Sequence, residues 1–522
     1  MFGKVYSACV QGIEGRLITV EVDIASGLPQ FAIVGLPDSA IRESMERVRA
    51  AIKNCGFSFP MQRITVNLAP ADVRKEGASF DLAIAAAILV TSGQVPAEAI
   101  AETLLIGELA LDGALRPVSG VLSMVDEARR SALSSVTLPA LNAREASLIG
   151  GIRVRPLRHL LELTGEEAVP ADERAFRAAD GDVVPAMAAS GAGFGEAALD
   201  YADVFGQLHA KRALTIAAAG MHNIMLVGPP GTGKTMLVRR LPTILPELDD
   251  EEALEVTKLY SVAGKLGGRS GLLRQRPFRA PHHTISAAGL VGGGSVPKPG
   301  ECSLAHRGVL FLDEMPEFSR QSLEVLRQPL EDRHITIGRA RAVFTFPSHV
   351  LLAASMNPCP CGYYGAETPE RSCSCSPHKV AHYLSRLSGP LLDRIDMQVD
   401  VPRIGLDDLA AVSHGHTSLS SAEMRARVEA ARAMQRMRYG SGLLPFNGEL
   451  GGRQLRRHCK LEPGVEEMLQ LAFQTLALSV RAHERILKIA RTIADLEGSD
   501  IIRIPHVAEA LQYRSLDRKP LL

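Results

Sequence analysis

The run Gly228-Pro229-Pro230-Gly231-Thr232-Gly233-Lys234-Thr235 joins turn-permitting glycines to one cation and one hydroxyl. This satisfies the Walker A pattern in full. Its glycines let backbone N–H groups wrap phosphates, Lys234 reaches the β and γ phosphates, and Thr235 ligates magnesium. All eight residues are therefore assigned to nucleotide binding. Downstream, Val309-Leu310-Phe311-Leu312-Asp313-Glu314 reads as a buried strand that delivers Asp313 to the metal and Glu314 to an attacking water. Two adjacent acids could also be a solvated strand end, but the complete phosphate loop upstream favours the chemical reading. The chemistry implied is hydrolysis of ATP with Mg2+.

Further residues have suitable types at suitable places. The apolar run Val350 to Ala354 leads to Asn357, placed where a third parallel strand would end beside the γ phosphate. Arg394, in Gly389-Pro390-Leu391-Leu392-Asp393-Arg394-Ile395-Asp396, could stabilise transition-state charge across a subunit boundary, or could pair within the domain with Asp393 or Asp396. Cys359-Pro360-Cys361 and Cys373-Ser374-Cys375 offer four thiolates for a structural zinc, or reduced thiols packing a loop, with His378 and His382 as substitute ligands. The one-residue spacing is tighter than the usual two to four. Cys9, Cys55, Cys302 and Cys459 are isolated. His282-His283 has no nearby carboxylate in sequence to orient a ring and reads as a polar loop.

These residues need elements to position them. From 200 to about 405, the short apolar runs Ile224 to Val227, Val309 to Leu312 and Val350 to Ala354 alternate with helical or glycine-rich segments. The pattern predicts a parallel sheet with helices on both faces. From 406 to 522 the chain reads as helical, with a capping box at Ser420 to Glu423 and helices over Arg481 to Leu496 and Pro505 to Tyr513. Arg425, Arg427, Arg432, Arg436 and Arg438, interspersed with Glu423 and Glu429, read as a solvated helix face.

Residues 1–165 have a different pattern. Ile18, Val20, Val22 and Ile24 alternate with polar residues as in a half-buried strand. A helix opens at Gly35 to Asp38 with Ile41, Met45, Val48 and Ile52 on one face. A strand at Ile64 to Leu68 and a small-residue helix at Asp81 to Leu89 follow, giving an α+β domain. The Ala, Gly, Asp and Glu-rich stretch 166–199 reads as a flexible linker. With 522 residues, several cores are required. Lys plus Arg and Asp plus Glu are both 58, so any nucleic-acid contact must come from local basic loops. The longest apolar run, Leu82 to Val90, is about half of a bilayer crossing, and the start lacks a signal peptide's apolar core. A cytoplasmic protein without membrane contact is expected.

Taken together, the chain resembles the ComM/YifB family of magnesium-chelatase-like AAA+ ATPases over nearly its whole length. The resemblance rests on Asp203-Val204-Phe205-Gly206-Gln207, Ala280-Pro281-His282-His283-Thr284, Leu290 to Gly300, Leu304-Ala305-His306-Arg307-Gly308, Asn357-Pro358-Cys359-Pro360-Cys361-Gly362 and Leu387 to Asp396. It implies that Asn357 is the sensor-1 residue, Arg394 the arginine finger, and Arg481, in Ser479-Val480-Arg481-Ala482-His483, the sensor-2 arginine. Gln207 would lie near the adenine. It further implies a homo-hexameric ring and a DNA motor for helicase or branch-migration work during uptake and recombination of transforming DNA. A magnesium-chelatase-like metal-insertion ATPase and an ATP-dependent protease or remodelling chaperone are the rival implications.

Two segments suit DNA contact in such a ring. One is the glycine-rich Gly289 to Gly300 with Lys298. The other is the alternating stretch His334 to His349, a predicted hairpin with Arg339 and Arg341 near its tip. A ring presents each basic residue six times, so a neutral subunit can line a positive pore; the bland alternative is solvated loop charge. The first domain resembles the Lon protease catalytic fold, with Ser79 where that fold keeps its nucleophile. A Ser-Lys dyad needs a lysine, and Leu122 stands in its place. The domain is therefore expected to be protease-shaped and inert, with Ser79 as a helix-start residue.

Overall fold

In the computed structural model, residues 1–164, 199–266, 271–294, 297–339, 342–367, 372–403, 419–440, 446–475 and 479–514 are described. Apart from Leu199, the expected linker lies outside them, as does Arg341.

The N-terminal domain is a seven-stranded sheet flanked by helices. The predicted strand spans Glu14–Ala25, and it pairs antiparallel with Phe2–Gln11 on one side and with Arg63–Ala69 on the other. Val20 and Val22 are fully buried, as their alternation requires. The amphipathic helix is Ser39–Asn54; Asp38 caps it by accepting from the Ile41 N–H, and Ile41, Val48 and Ile52 face the core. The small-residue helix, Asp81–Thr91, is buried almost all round. No side chain caps it, because its N-cap is Phe80 in a helical conformation. Ser79 is thus not its capping residue; it instead offers its carbonyl to the Gly107 N–H at 2.9 Å. Leu122 is fully buried in an apolar cluster with Val121 and Val125.

The second domain holds a five-stranded parallel sheet in the order 278–279, 309–312, 351–356, 224–227, 397–400. Three of these strands are the apolar runs read from sequence, and Ile224–Val227 and Val309–Leu312 are buried at every position. A C-terminal group of helices, Ser421–Tyr439, Gly452–His458, Val465–Thr475, Val480–Leu496 and Ile504–Gln512, joins the same core through Met424, Ile486 and Ile493. Here the solvated-face expectation holds for Arg427 and Arg436, which are exposed, and is corrected for two others. Arg432 is buried and stacks 3.6 Å from the Phe446 ring centroid, and Arg438 pairs with the buried Asp495 at 2.5 Å. These guanidiniums hold the lid together.

His222, under the end of Leu208–Gly220, is fully buried, and burial pushes its pKa down to about 4. An unfolded chain therefore binds a proton between pH 4 and 6.5 that the folded chain refuses, so stability rises with pH across that window. Asp81, raised to about 6 by burial, titrates in the opposite sense. The difference between wild type and His222→Gln isolates the histidine. In urea titrations that difference should change by at most about 3 kcal/mol between pH 4 and pH 7. A pH-independent difference would refute it.

The two domains meet on the helix Asp250–Val262. Lys258 donates to the buried Asp126 at 2.7 Å, and the Gly120 N–H donates to the Ser261 carbonyl at 3.2 Å. Beside this, Ile13 packs with Leu259, Leu304, Phe344 and Phe346 in one apolar cluster. Gly12 sits so close to the Thr345 carbonyl that a Cβ would lie 2.4 Å from it.

Candidate active site

The phosphate loop leaves the strand Ile224–Val227 and runs into the helix Lys234–Arg239. Gly228 is required by space, since a Cβ there would lie 2.2 Å from the Val401 carbonyl oxygen. Gly231 and Gly233 are required by conformation, with φ of +80° and +85°. Lys234 is buried; its ammonium donates to the carbonyls of Gly228 and Pro229 at 2.7 and 2.8 Å and to Asn357 Oδ1 at 3.1 Å. Burial lowers its pKa, opposed by Asp313 and Glu314.

Thr235 Oγ1 donates to Asp313 Oδ2 at 2.9 Å. A hydroxyl and a carboxylate facing one another at this spacing fit a hard, oxygen-seeking cation such as Mg2+, which would draw phosphate charge and orient the triphosphate. Ser355, to which the sequence drew no attention, donates to Asp313 Oδ1 and accepts from the Glu314 N–H at 3.2 Å. Glu314 itself is held in the left-handed region at φ +52°, just past the end of the strand. The signal for Ser355 was available as the one hydroxyl in the fully buried run Leu351–Met356. The structure therefore gathers Lys234, Thr235, Asp313 and Asn357 by direct contacts.

The other site residues lie around this centre. Gln207, at φ +52°, donates to the Pro402 carbonyl at 2.7 Å, and its segment is anchored by the buried Lys211, which donates to the carbonyls of Tyr201 and Val204. Arg394 pairs with Glu331 and donates to the Pro390 carbonyl at 2.6 Å, while its Nε is buried without an acceptor among the described residues. Its partner is thus Glu331 rather than Asp393 or Asp396. Those acids instead meet Arg481 at 3.9 Å and Arg485 at 3.3 Å. Arg481 remains 62% exposed at the start of its helix. Arg394 shares a cleft of about 590 Å³ with Glu331 and the hairpin residues Ile335 to Gly338. His282 bonds Thr284 Oγ1 at 2.9 Å and its ring lies 4.1 Å from that of His283, as a polar loop would.

The four clustered cysteines converge, with all Sγ atoms within 4.8 Å of one another and neither His378 nor His382 among them. Cys9, Cys302 and Cys459 are buried free thiols.

A five-stranded parallel sheet with the phosphate loop at the end of one inner strand, an acidic strand end, an asparagine just past the end of a neighbouring strand and a helical lid define a AAA+ ATPase. Comparison with known proteins narrows this. Residues 200–409 match the family described as magnesium chelatase, subunit ChlI; residues 20–142 match subunit ChlI of Mg-chelatase, and 418–514 its C-terminal part. The chain is 45% identical over 519 residues to the competence protein ComM of Haemophilus influenzae, covering 98% of this chain and 97% of that protein. It is 43% identical to the uncharacterized protein YifB of Escherichia coli, covering 98% and 97%. Lon protease 2 of Bacillus subtilis matches at 29% over 150 residues, 27% of this chain and 26% of that protein. The chain belongs to the ComM/YifB family of magnesium-chelatase-like AAA+ ATPases, with a Lon-protease-like domain ahead of the ATPase. ATP and Mg2+ follow from that membership. Among the described residues no helix is long and apolar enough to cross a membrane.

Proposed function

We propose that this ATPase is a cytoplasmic, homo-hexameric DNA motor that drives helicase or branch-migration work on single-stranded or branched DNA, in recombination of incoming DNA during transformation. One observation carries the reading. The two basic insertions, far apart in sequence, are joined: Arg339 Nη2 donates to the Gly294 carbonyl at 2.6 Å. The hairpin His334–Arg339 with Ala342–Pro347 and the short pair Gly292–Gly293 with Lys298–Pro299 thus form one unit bearing exposed Lys298 and Arg339. Arg341 belongs to the same reading but lies outside the described residues. Such a unit, repeated around a ring, grips phosphates without reading bases. The name of the Haemophilus relative supports the link to competence. A structural zinc on Cys359, Cys361, Cys373 and Cys375 is part of the reading. The protease rival is disfavoured by Leu122, a buried apolar residue at the position where the resemblance to the Lon fold would need a lysine.

ATP hydrolysis measured with single-stranded, duplex and four-way-junction DNA should rise with branched or single-stranded substrates. Lys298→Ala with Arg339→Ala should keep basal hydrolysis and abolish the DNA stimulation. The slope of log affinity against log salt should fall by roughly one for each phosphate that the variant can no longer hold. Absence of any DNA stimulation together with absence of movement on branched substrates would overturn the proposal.

A further inference from the structure

The cysteine cluster does more than close a loop on itself. The Sγ separations are 3.3 Å between Cys359 and Cys361, 3.8 Å between Cys359 and Cys373, and 3.5 Å between Cys361 and Cys373. Four sulfurs at about 2.3 Å from one zinc sit roughly 3.8 Å apart, so these three separations are close to those of a tetrahedral site, and Cys375 Sγ lies within 4.8 Å of the other three. Cys359 Sγ also accepts from the Gly362 N–H at 3.2 Å and the Tyr364 N–H at 3.4 Å, the kind of outer support that orients thiolate ligands. Cys359 is fully buried.

The cluster is also linked to the nucleotide machinery by one contact and two short chain connections. Gly362, at φ +87°, lies so close to the phosphate loop that a Cβ would be 2.5 Å from Pro230 Cδ. Asn357, which accepts from the Lys234 ammonium at 3.1 Å, is two residues before Cys359. Tyr363 lies under Arg403, whose guanidinium is 5.0 Å from its ring centroid. Arg403 directly follows Pro402, the residue that receives Gln207. The Cys359–Cys361 arm thus touches the phosphate loop, carries the sensor asparagine and reaches the segment that holds Gln207.

We propose that a zinc ion held by the four thiolates clasps this arm against Pro230 and fixes Asn357, so that metal occupancy sets nucleotide affinity. The proposal rests on the ATPase and zinc readings above. With four sulfurs the ion has no open position for water, so it acts through the shape of the arm and not as a Lewis acid.

The full chain, purified without chelator, should contain one zinc per subunit by atomic emission. Removing it with a mercurial reagent and a chelator should weaken binding of a fluorescent ATP analogue by about tenfold, and returning zinc should restore it. Gly362→Ala should keep its zinc, which also reports that the cluster has folded, yet bind the analogue about tenfold more weakly through overpacking against Pro230. Gly365→Ala is the control: φ is +72° there too, but nothing lies within 4 Å of the added Cβ, so affinity should be unchanged. Absence of zinc from the purified protein overturns the metal reading and the clasp together, while Lys234-dependent nucleotide binding would leave the ATPase standing. Zinc present, with affinity unchanged after stripping, overturns the clasp alone, and an affinity unchanged in Gly362→Ala overturns its seat against Pro230.

Discussion

Lys234→Ala is expected to lower ATP hydrolysis by about a thousandfold, with DNA movement lost in parallel. Its ammonium is the side-chain cation that the structure holds within the loop, with the Gly228 and Pro229 carbonyls and Asn357 Oδ1 as its acceptors. Alanine removes the charge meant for the β and γ phosphates and leaves those oxygens without their donor. Phosphate release at saturating ATP and Mg2+ reads the effect, and circular dichroism controls for folding. A variant retaining a tenth of wild-type turnover would remove the phosphate loop from the centre of the chemistry.

The second large effect is expected at Arg394. Its guanidinium is held by Glu331 and the Pro390 carbonyl, neither part of the phosphate loop, and its buried Nε has no acceptor among the described residues. A preset cation with spare donor capacity suits a transition state presented by a neighbouring subunit. Arg394→Ala should cost about a thousandfold in hydrolysis while leaving nucleotide affinity nearly unchanged. Mixing distinguishes this from an effect within one subunit. In the proposed ring, assembled from equal amounts of Lys234→Ala and Arg394→Ala chains, roughly a quarter of the boundaries would join an intact phosphate loop to an intact Arg394, and activity should reappear in that proportion. Two inactive variants that stay inactive when co-assembled would place Arg394 in its own subunit's fold, with Glu331 as its final partner.

Local signals carried the sequence reading well where the chemistry is local. The phosphate loop is contiguous, its flanking strand is uniformly apolar, and the period-two stretch His334 to His349 folds as the expected hairpin. What escaped depends on contacts distant in sequence. Glu331 lies 63 positions from Arg394, and Ser355 is 42 from Asp313, so neither pairing leaves a mark near its partner. Phe2–Gln11 was missed for another reason. As an inner strand with neighbours on both sides it buries Val5, Ser7, Ala8 and Cys9, so residues of both faces are enclosed and the alternation is blurred. In the lid, arginines interspersed with Glu423 and Glu429 suggested a wet surface, and the burial of Arg432 and Arg438 left no local mark because Phe446 and Asp495, which meet them, come from separate segments.

The seam around Ile13 has a practical corollary. Trimming the protease-like half to obtain a minimal ATPase would strip the cover from Leu259, Phe344 and Phe346 and leave the base of the basic hairpin without its bearing. The protease-like domain thus serves as a mount, and the shortest fragment in which that hairpin is held at a defined angle includes both halves.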